Sequence, residues 1–204
     1  MQQQQPPQGT QHSENMPPVN SHGGHELFDA HEVIATIISM LDQYQLYYQH
    51  MQDQELKSIL NRQYTFMTNL YNTMIETFQT GQKPTFSTEV YNMTTDNNVI
   101  YGLTPVPQKK PNQSVSEITD AGLSGYMLGQ TKGLASLMTM TALEMTNPVL
   151  RRVVSDSIPN VIEMSYEIFI YQNKHSYYQV PQLAPADMTT MLQSYTAAPP
   201  APLN

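Results

Sequence analysis

The stretch from Asn147 to Pro181 constrains this chain most, because its pattern predicts one long amphipathic helix. Asn147 can cap the start of the helix, and Pro148 stands at the first helical position, where a missing N–H costs nothing. Pro159 predicts a kink, and Lys174 lies near the end, where the helix dipole favours positive charge. Apolar residues recur at steps of three and four, at Leu150, Val154, Ile158, Val161 and Ile168. Such a helix cannot bury its apolar face alone, so the rest of the chain must supply partners.

Three further helices are predicted, at about residues 26–50, 53–79 and 116–146, beside the one at 148–176. We expect Asp53 to cap the second helix, and Ser114 with Glu117 fits a capping box for the third. The predicted core residues are Ala30, Ile34, Ile37, Leu41, Tyr44, Tyr48 and Met51 in the first helix, Leu56, Leu60, Met67, Leu70, Met74 and Phe78 in the second, and Leu123, Met127, Leu134, Leu137 and Met138 in the third.

The connections between these helices predict the topology. A short break separates the first two helices, which makes them antiparallel. Residues 80–115 show no sustained period and contain four prolines. A helix of this length spans about 40 Å, and an extended chain of about 35 residues can return along it easily. We therefore predict an all-α fold, a ferritin-like four-helix bundle with a long crossover between helices 2 and 3.

Four glycines in the predicted third helix need an explanation. Gly122, Gly125, Gly129 and Gly133 follow helical steps and lead to Ser136. Each glycine costs a helix roughly 0.5–1 kcal/mol relative to alanine. Close approach of a neighbouring helix or subunit would explain them, and we favour that interpretation. The alternative is that the segment is broken into a loop.

The two ends of the chain differ from the middle. Residues 1–24 are dominated by Gln, Pro and Gly, so we predict that they are disordered. The four-helix domain is expected at 25–183. Residues 184–204 form a C-terminal tail, with a possible short helix at 186–195.

Two features could serve cross-linking. The amides from Gln2 to Gln11 could be joined by a transglutaminase to lysines such as Lys109 or Lys110, although a plain solubilising tail is the favoured interpretation. The pairs Tyr47-Tyr48 and Tyr177-Tyr178 could be oxidative cross-link points, although packing at helix ends is preferred.

Composition excludes several classes of protein. The net charge of −8 argues against nucleic acid as the main partner. The chain has no cysteine, which excludes disulfides, zinc fingers and thiol nucleophiles. We find no signal peptide and no run of 18 apolar residues, so we expect no membrane insertion and a protein that stays in the compartment where it is made.

The sequence predicts no catalytic, cofactor-binding or metal site. Ferritin-like metal centres need Glu-x-x-His on two helices, and this motif is missing: Glu163 is followed three residues later by Tyr166, and Glu167 by Ile170. One metal-suggestive cluster remains, formed by His22, His25, Glu26, Asp29, His31 and Glu32. Its spacing matches no strong motif, so a polar, acidic helix start is the favoured interpretation, and His31 is expected to be a hydrogen-bonded core histidine.

The second half of the chain resembles the coat F family of bacterial spore coat proteins. The resemblance covers about residues 25–185 and is most specific from Leu143 to Leu183. It is carried by Gly125-Tyr-Met-Leu-Gly129, Asn147-Pro-Val-Leu-Arg151-Arg152, Tyr166-Glu167, Tyr171-Gln-Asn-Lys174 and Tyr177-Tyr178-Gln-Val-Pro181. It implies a ferritin-like four-helix domain, production during sporulation and deposition in or under the spore coat.

Three hypotheses about function follow. The first is a non-enzymatic structural or assembly protein of the endospore, whose partners are other endospore proteins or further copies of itself. The second is a ferritin-like metal-dependent oxidase or peroxide scavenger, which the missing Glu-x-x-His disfavours. The third is an amphipathic-helix protein at a membrane surface, which the low Lys and Arg content disfavours.

Overall fold

The computed structural model describes residues 11–198. Five α-helices follow one another: α1 (Gly24–His50), α2 (Gln54–Thr80), α3 (Asp120–Glu144), α4 (Pro148–Lys174) and α5 (Pro185–Leu192). Three single 3-10 turns accompany them, at Ser13–Asn15, Pro18–Asn20 and Val115–Glu117. The only β-pairing in the described part of the chain consists of two isolated bridges, from Tyr101 and from Gly102 to Val180.

Helices α1 to α4 form one antiparallel bundle. Each of α1 and α4 packs against both α2 and α3. The start of α1 meets the end of α3, where Glu26 accepts a hydrogen bond from the backbone N–H of Thr146 (2.8 Å). At the other end of the bundle, Lys174 in the last turn of α4 pairs with Glu55 in the first turn of α2 (2.8 Å). The predicted all-helical bundle with a long crossover between the second and third helices is confirmed, and this connectivity is shared with ferritin-like bundles.

Local capping chemistry sets several helix ends, as the sequence indicates. The carboxylate of Asp53 accepts from the N–H groups of Glu55 (2.7 Å) and Leu56 (3.1 Å) at the start of α2. The amide oxygen of Asn147 does the same for Val149 (3.0 Å) and Leu150 (2.9 Å) at the start of α4. These bonds satisfy N–H groups that have no partner inside the helix.

The start of the third helix differs from the prediction. Val115–Glu117 is only a 3-10 turn and Ser114 makes no capping bond, so the capping box is wrong. Helix α3 begins at Asp120, where the hydroxyl of Thr119 accepts from the N–H of Gly122 (3.4 Å). A capping box is identified from local sequence alone. Thr119 carries a hydroxyl oxygen as Ser114 does, and it lies four residues before the apolar stripe of α3.

The core is formed by the stripes that face the bundle axis. Most predicted core residues of α2, α3 and α4 are buried. In α1 the buried stripe is rotated relative to the prediction: Val33 and Met40 are buried, whereas Ile34 and Leu41 are only half-buried and Tyr48 is exposed. Adjacent residues such as Val33 and Ile34 point in different directions around a helix. The contacts of α1 with α2 and α3 decide which of the two is buried.

His31 lies on the exposed side of α1, so the expected core histidine is wrong. Its ring makes an edge contact with Phe78 of α2, with a centroid distance of 5.5 Å. His31 lies on the same side of α1 as Ile38, which is also exposed, so its spacing to Ile34 does not bring it into the core.

The glycines of α3 make no close contact with another helix that an added Cβ would disturb. A Cβ atom built at Gly129 or Gly133 would meet nothing within 4 Å, and one at Gly125 would meet only the side-chain amide of Gln172 at 3.7 Å. The helix runs unbroken through all of them, so the loop alternative is wrong, whereas close approach of another subunit stays a prediction. They lie on the outer face of the bundle, in line with Met140 and Leu143, whose side chains are 68% and 82% exposed.

The crossover runs along α4 from its first half to its end. The amide of Asn160 donates to the carbonyl of Glu89 (3.0 Å), and its oxygen accepts from the N–H of Tyr91 (2.9 Å). Asn173 pairs in the same way with both backbone groups of Ile100 (2.6 and 2.9 Å). Side-chain amides on α4 thus replace the strand partner that an extended segment would otherwise need.

Both chain ends are described in part. The turn Pro18–Asn20 packs against the end of α2, so this piece of the segment predicted to be disordered has a defined position. Residues 1–10 and 199–204, with most of the Gln-rich head and the end of the C-terminal tail, lie outside the described residues. The possible short helix at 186–195 corresponds to α5, which has no buried residue. Among the helices of residues 11–198, none has the length and apolar character needed to cross a membrane.

Candidate functional site

Two carboxylates, Glu26 and Glu167, are completely buried, with 0% exposure each. Carboxylates are almost never fully buried unless they are paired or hydrogen-bonded. They are therefore the first places to look for chemistry in this bundle.

Glu167 of α4 holds three parts of the chain together. One carboxylate oxygen accepts from Nη2 of Arg62 on α2 (2.5 Å) and from the N–H of Thr94 in the crossover (3.2 Å). The hydroxyl of Tyr91 donates to the other oxygen. The ring of Tyr91 packs edge-on against Phe66, with centroids 5.3 Å apart. We call Arg62, Tyr91 and Glu167 the crossover cluster.

Two groups of the crossover cluster, Tyr91 and Arg62, have raised pKa values. Burial and the hydrogen bond to Glu167 raise the pKa of Tyr91 well above its usual range, so the phenol stays protonated as a donor. Burial alone would lower the pKa of Arg62, but the hydrogen bond and charge of Glu167 outweigh it and raise that pKa. Tyr91 and Arg62 thus act as hydrogen-bond donors to one carboxylate.

Glu26 joins the ends of three helices. One of its oxygens accepts from the hydroxyl of Thr146 (2.5 Å) and from the N–H groups of Thr146 (2.8 Å) and Asn147 (3.0 Å), between α3 and α4. The other pairs with Nδ1 of His22 (2.8 Å). The amide of Asn147 in turn donates to the carbonyl of Gly81 at the end of α2 (3.2 Å). Burial would raise the pKa of Glu26, but the hydrogen bonds from Thr146, His22 and Asn147 outweigh it and lower that pKa.

The metal-suggestive cluster of the sequence is dispersed in the fold. His22 is bound to Glu26, whereas His25, His31 and Glu32 are exposed. Across residues 11–198, no three His, Asp or Glu side chains come close enough together to hold a metal ion. The hydrogen bonds that the carboxylates of Glu26 and Glu167 accept come from groups of the protein itself.

Sequence reasoning missed both buried carboxylates. The sequence predicts Glu26 as part of a polar, acidic helix start, yet it falls four residues before Ala30, on the buried stripe. Glu167 lies between the core residues Met164 and Tyr171 at helical spacing. This spacing could have marked both as buried, but not their partners, because the contacts to Arg62 and Thr146 span 105 and 120 residues.

A hydrogen-bonded series of side chains links α1, α2 and α4 inside the bundle. The hydroxyl of Tyr44 donates to the side-chain oxygen of Gln63 (2.9 Å), and the amide of Gln63 donates to the carbonyl of Met164 (3.1 Å).

Tyr47 packs near Tyr44 and Tyr126, and Tyr177 stacks on His175. Their neighbours Tyr48 and Tyr178 are each 42% exposed, so chemistry at these two tyrosines stays a prediction.

Comparisons with known proteins agree with this architecture. The family model described as the Coat F domain matches residues 119–181, which contain α3, α4 and the segment that follows them. The spore coat protein F-like protein YhcQ of Bacillus subtilis (strain 168) is 48% identical over 176 residues, which cover 86% of this chain and 81% of that protein.

A solved structure shares the fold at low sequence identity. It is a crystal structure of a Bacillus halodurans C-125 protein provisionally assigned to the spore coat proteins. It covers 83% of this chain and 99% of its own, with a TM-score of 0.60 and 12% identity. The extent and identity of the match to the Bacillus subtilis protein show that this chain belongs to the coat F family of spore coat proteins.

Proposed function

We propose that this protein is a non-enzymatic structural or assembly component of the bacterial endospore. Its family relationship supports this function, since a spore coat protein F-like protein matches most of its length. The observation that carries the non-enzymatic part is the use of Glu26 and Glu167. Both bind backbone and side-chain donors that connect helices, and both side chains are fully buried.

The surface supports a role in assembly. Several large apolar side chains are exposed along α3 and the crossover, among them Leu143 (82%), Phe86 (78%) and Met140 (68%). Few charged residues separate them, because Asp, Glu, Lys and Arg make up only 13% of the chain. Low charge weakens the repulsion that keeps proteins apart. We propose that the partners are other endospore proteins, further copies of this chain included.

Locating the protein tests this function. A fluorescent fusion is followed through sporulation, and mature spores are then extracted with hot detergent. We expect the signal in the spore coat or endospore interior, and we expect it to survive Glu144→Gln and Glu163→Gln, which leave the buried carboxylates intact. An even signal in vegetative cells, with none in spores, contradicts the proposal.

A further inference from the structure

A cleft of about 490 Å³ opens between α2 and the first part of the crossover. Its floor is formed by Phe66 and Leu70 of α2, which are 7% and 4% exposed. Phe86 of the crossover forms one side and is 78% exposed. The volume falls in the range of roughly 300–1,000 Å³ typical of binding sites for small groups. We call it the α2 cleft.

Two hydrogen-bonded ties fix the shape of the α2 cleft. At one end, Glu76 accepts from the N–H (3.0 Å) and hydroxyl (2.6 Å) of Thr85. At the other end, the amide of Asn69 donates to the two carboxylate oxygens of Glu89 (3.3 and 3.4 Å). Asn69 and Glu76 are two helical turns apart, about 10 Å along α2. These two ties therefore keep the walls of the cleft apart over a distance that matches the length of one long side chain.

The charged residues that line the α2 cleft within 11–198 are all acidic. Glu76 and Glu89 line it, and none of its lining residues within 11–198 is Lys, Arg or His. Two basic side chains of the crossover and α4, Lys83 and Arg152, line a different cleft, which shares residues 87–89 with the α2 cleft. The whole chain carries a net charge of −8, which favours a positively charged occupant over an anion.

The apolar part of the cleft selects the kind of cation. A small hydrated ion gains nothing from Phe66 and Leu70, whereas a lysine or arginine side chain has an apolar stem and a charged head. The stem can cover the floor, and the head can reach a carboxylate at either end or the face of Phe86.

From this geometry we infer that the α2 cleft binds a lysine or arginine side chain presented by a partner protein. This inference gives the chemistry of one contact in the proposed assembly role and rests on that role for its biological meaning. The binding itself is a property of the purified chain and is tested there.

The test uses the full chain labelled with ¹⁵N and two capped tripeptides, acetyl-Gly-Lys-Gly-amide and its norleucine counterpart, which lacks the charge. We expect the lysine peptide to shift the amide signals of residues 85–89 in a saturable way, and the norleucine peptide to bind about two- to fivefold more weakly. Raising sodium chloride to about 0.5 M should reduce the difference.

Two variants locate the binding. Glu89→Gln keeps an acceptor for Asn69 and removes the charge, and Phe86→Ala removes an exposed ring; each should weaken lysine-peptide binding about two- to fivefold. Glu144→Gln on α3 is the control and should change nothing. Equal binding of the two peptides, or unchanged binding by both variants, overturns the inference. If the fusion protein reaches spores and the peptide does not bind, the inference fails and the proposed function stands.

Discussion

Glu26 and Asp120 hold equivalent positions in the two halves of the bundle. Glu26, in the first turn of α1, accepts from the backbone N–H groups of Thr146 and Asn147, which connect α3 to α4. Asp120, at the start of α3, accepts from those of Gln52 (3.0 Å) and Asp53 (3.1 Å), which connect α1 to α2. Each helix pair thus supplies a carboxylate that closes the connection of the other pair. The two halves fix each other at opposite ends of the bundle.

Replacing Glu167 should destabilise the fold severely. Glu167→Ala leaves the buried hydroxyl of Tyr91 and the partly exposed guanidinium of Arg62 without their acceptor, so we expect the free energy of unfolding to fall by about 2–4 kcal/mol. Urea unfolding followed by circular dichroism measures this change. Glu163→Ala, one turn earlier on α4 and partly exposed, is the matched control and should cost under about 1 kcal/mol. Equal losses in both variants would show that the crossover cluster does not hold the bundle.

The hydrogen bonds of Glu26 predict a loss of stability in acid. Because they lower the pKa of Glu26 in the folded protein, the carboxylate stabilises the fold above the pKa of the unfolded chain. That contribution is lost as the pH falls through the lower, folded pKa. Unfolding free energies measured from pH 7 to pH 3 should therefore fall more steeply for the wild type than for Glu26→Gln.

Asp120→Asn is the matched control for Glu26→Gln at neutral pH. Asp120 accepts two backbone bonds as Glu26 does, but it is partly exposed, so water can replace them. We expect a smaller change at neutral pH than for Glu26→Gln. If wild type and Glu26→Gln lose stability in parallel down to pH 3, Glu26 is not the group that couples folding to protonation.

Alanine should stabilise α3 at Gly129. A Cβ there meets nothing within 4 Å and the residue is inside a continuous helix, so Gly129→Ala should gain about 0.4–1 kcal/mol. Within one chain the structure also predicts that Gly129→Leu is tolerated, whereas close packing of a second molecule on this face would make leucine destabilising. A loss of more than about 1 kcal/mol with Gly129→Leu, measured by denaturant unfolding, would show that a second molecule covers this face.

Gly81→Ala is the opposite case and serves as the matched control. Gly81 ends α2 with φ of 67°, and a Cβ there would lie 2.0 Å from the carbonyl oxygen of Pro18. We expect Gly81→Ala to destabilise by more than about 1 kcal/mol, because alanine disfavours this conformation and Pro18 must move. Neutral behaviour would mean that Pro18–Asn20 does not pack on α2 in solution.

Elemental analysis tests the prediction that the protein holds no two-metal centre. The chain lacks Glu-x-x-His, and Glu26 and Glu167 are occupied by donors from the protein. After aerobic purification without chelator, we expect far less than one iron or manganese ion per chain. Two tightly bound ions per chain would contradict the proposed non-enzymatic role and favour a ferritin-like oxidase.

Sequence alone determined the helices and their order. Asp53 and Asn147 cap α2 and α4 through bonds to residues two or three positions away, so the pattern of neighbours was sufficient. Apolar periodicity identified most of the core of α2, α3 and α4, and the length of the crossover indicated the connectivity. The resemblance centred on Leu143 to Leu183 indicated the family.

Only the tertiary structure decided which residues of similar local pattern became buried. Glu26 and His31 both lie near the start of α1, yet Glu26 is buried and His31 is exposed. The difference comes from Thr146 and Asn147, whose N–H groups offset the cost of burying the charge. The outward position of Gly129 depends in the same way on how α3 rotates against α1 and α4. Such choices depend on contacts between distant parts of the chain, which a local pattern does not contain.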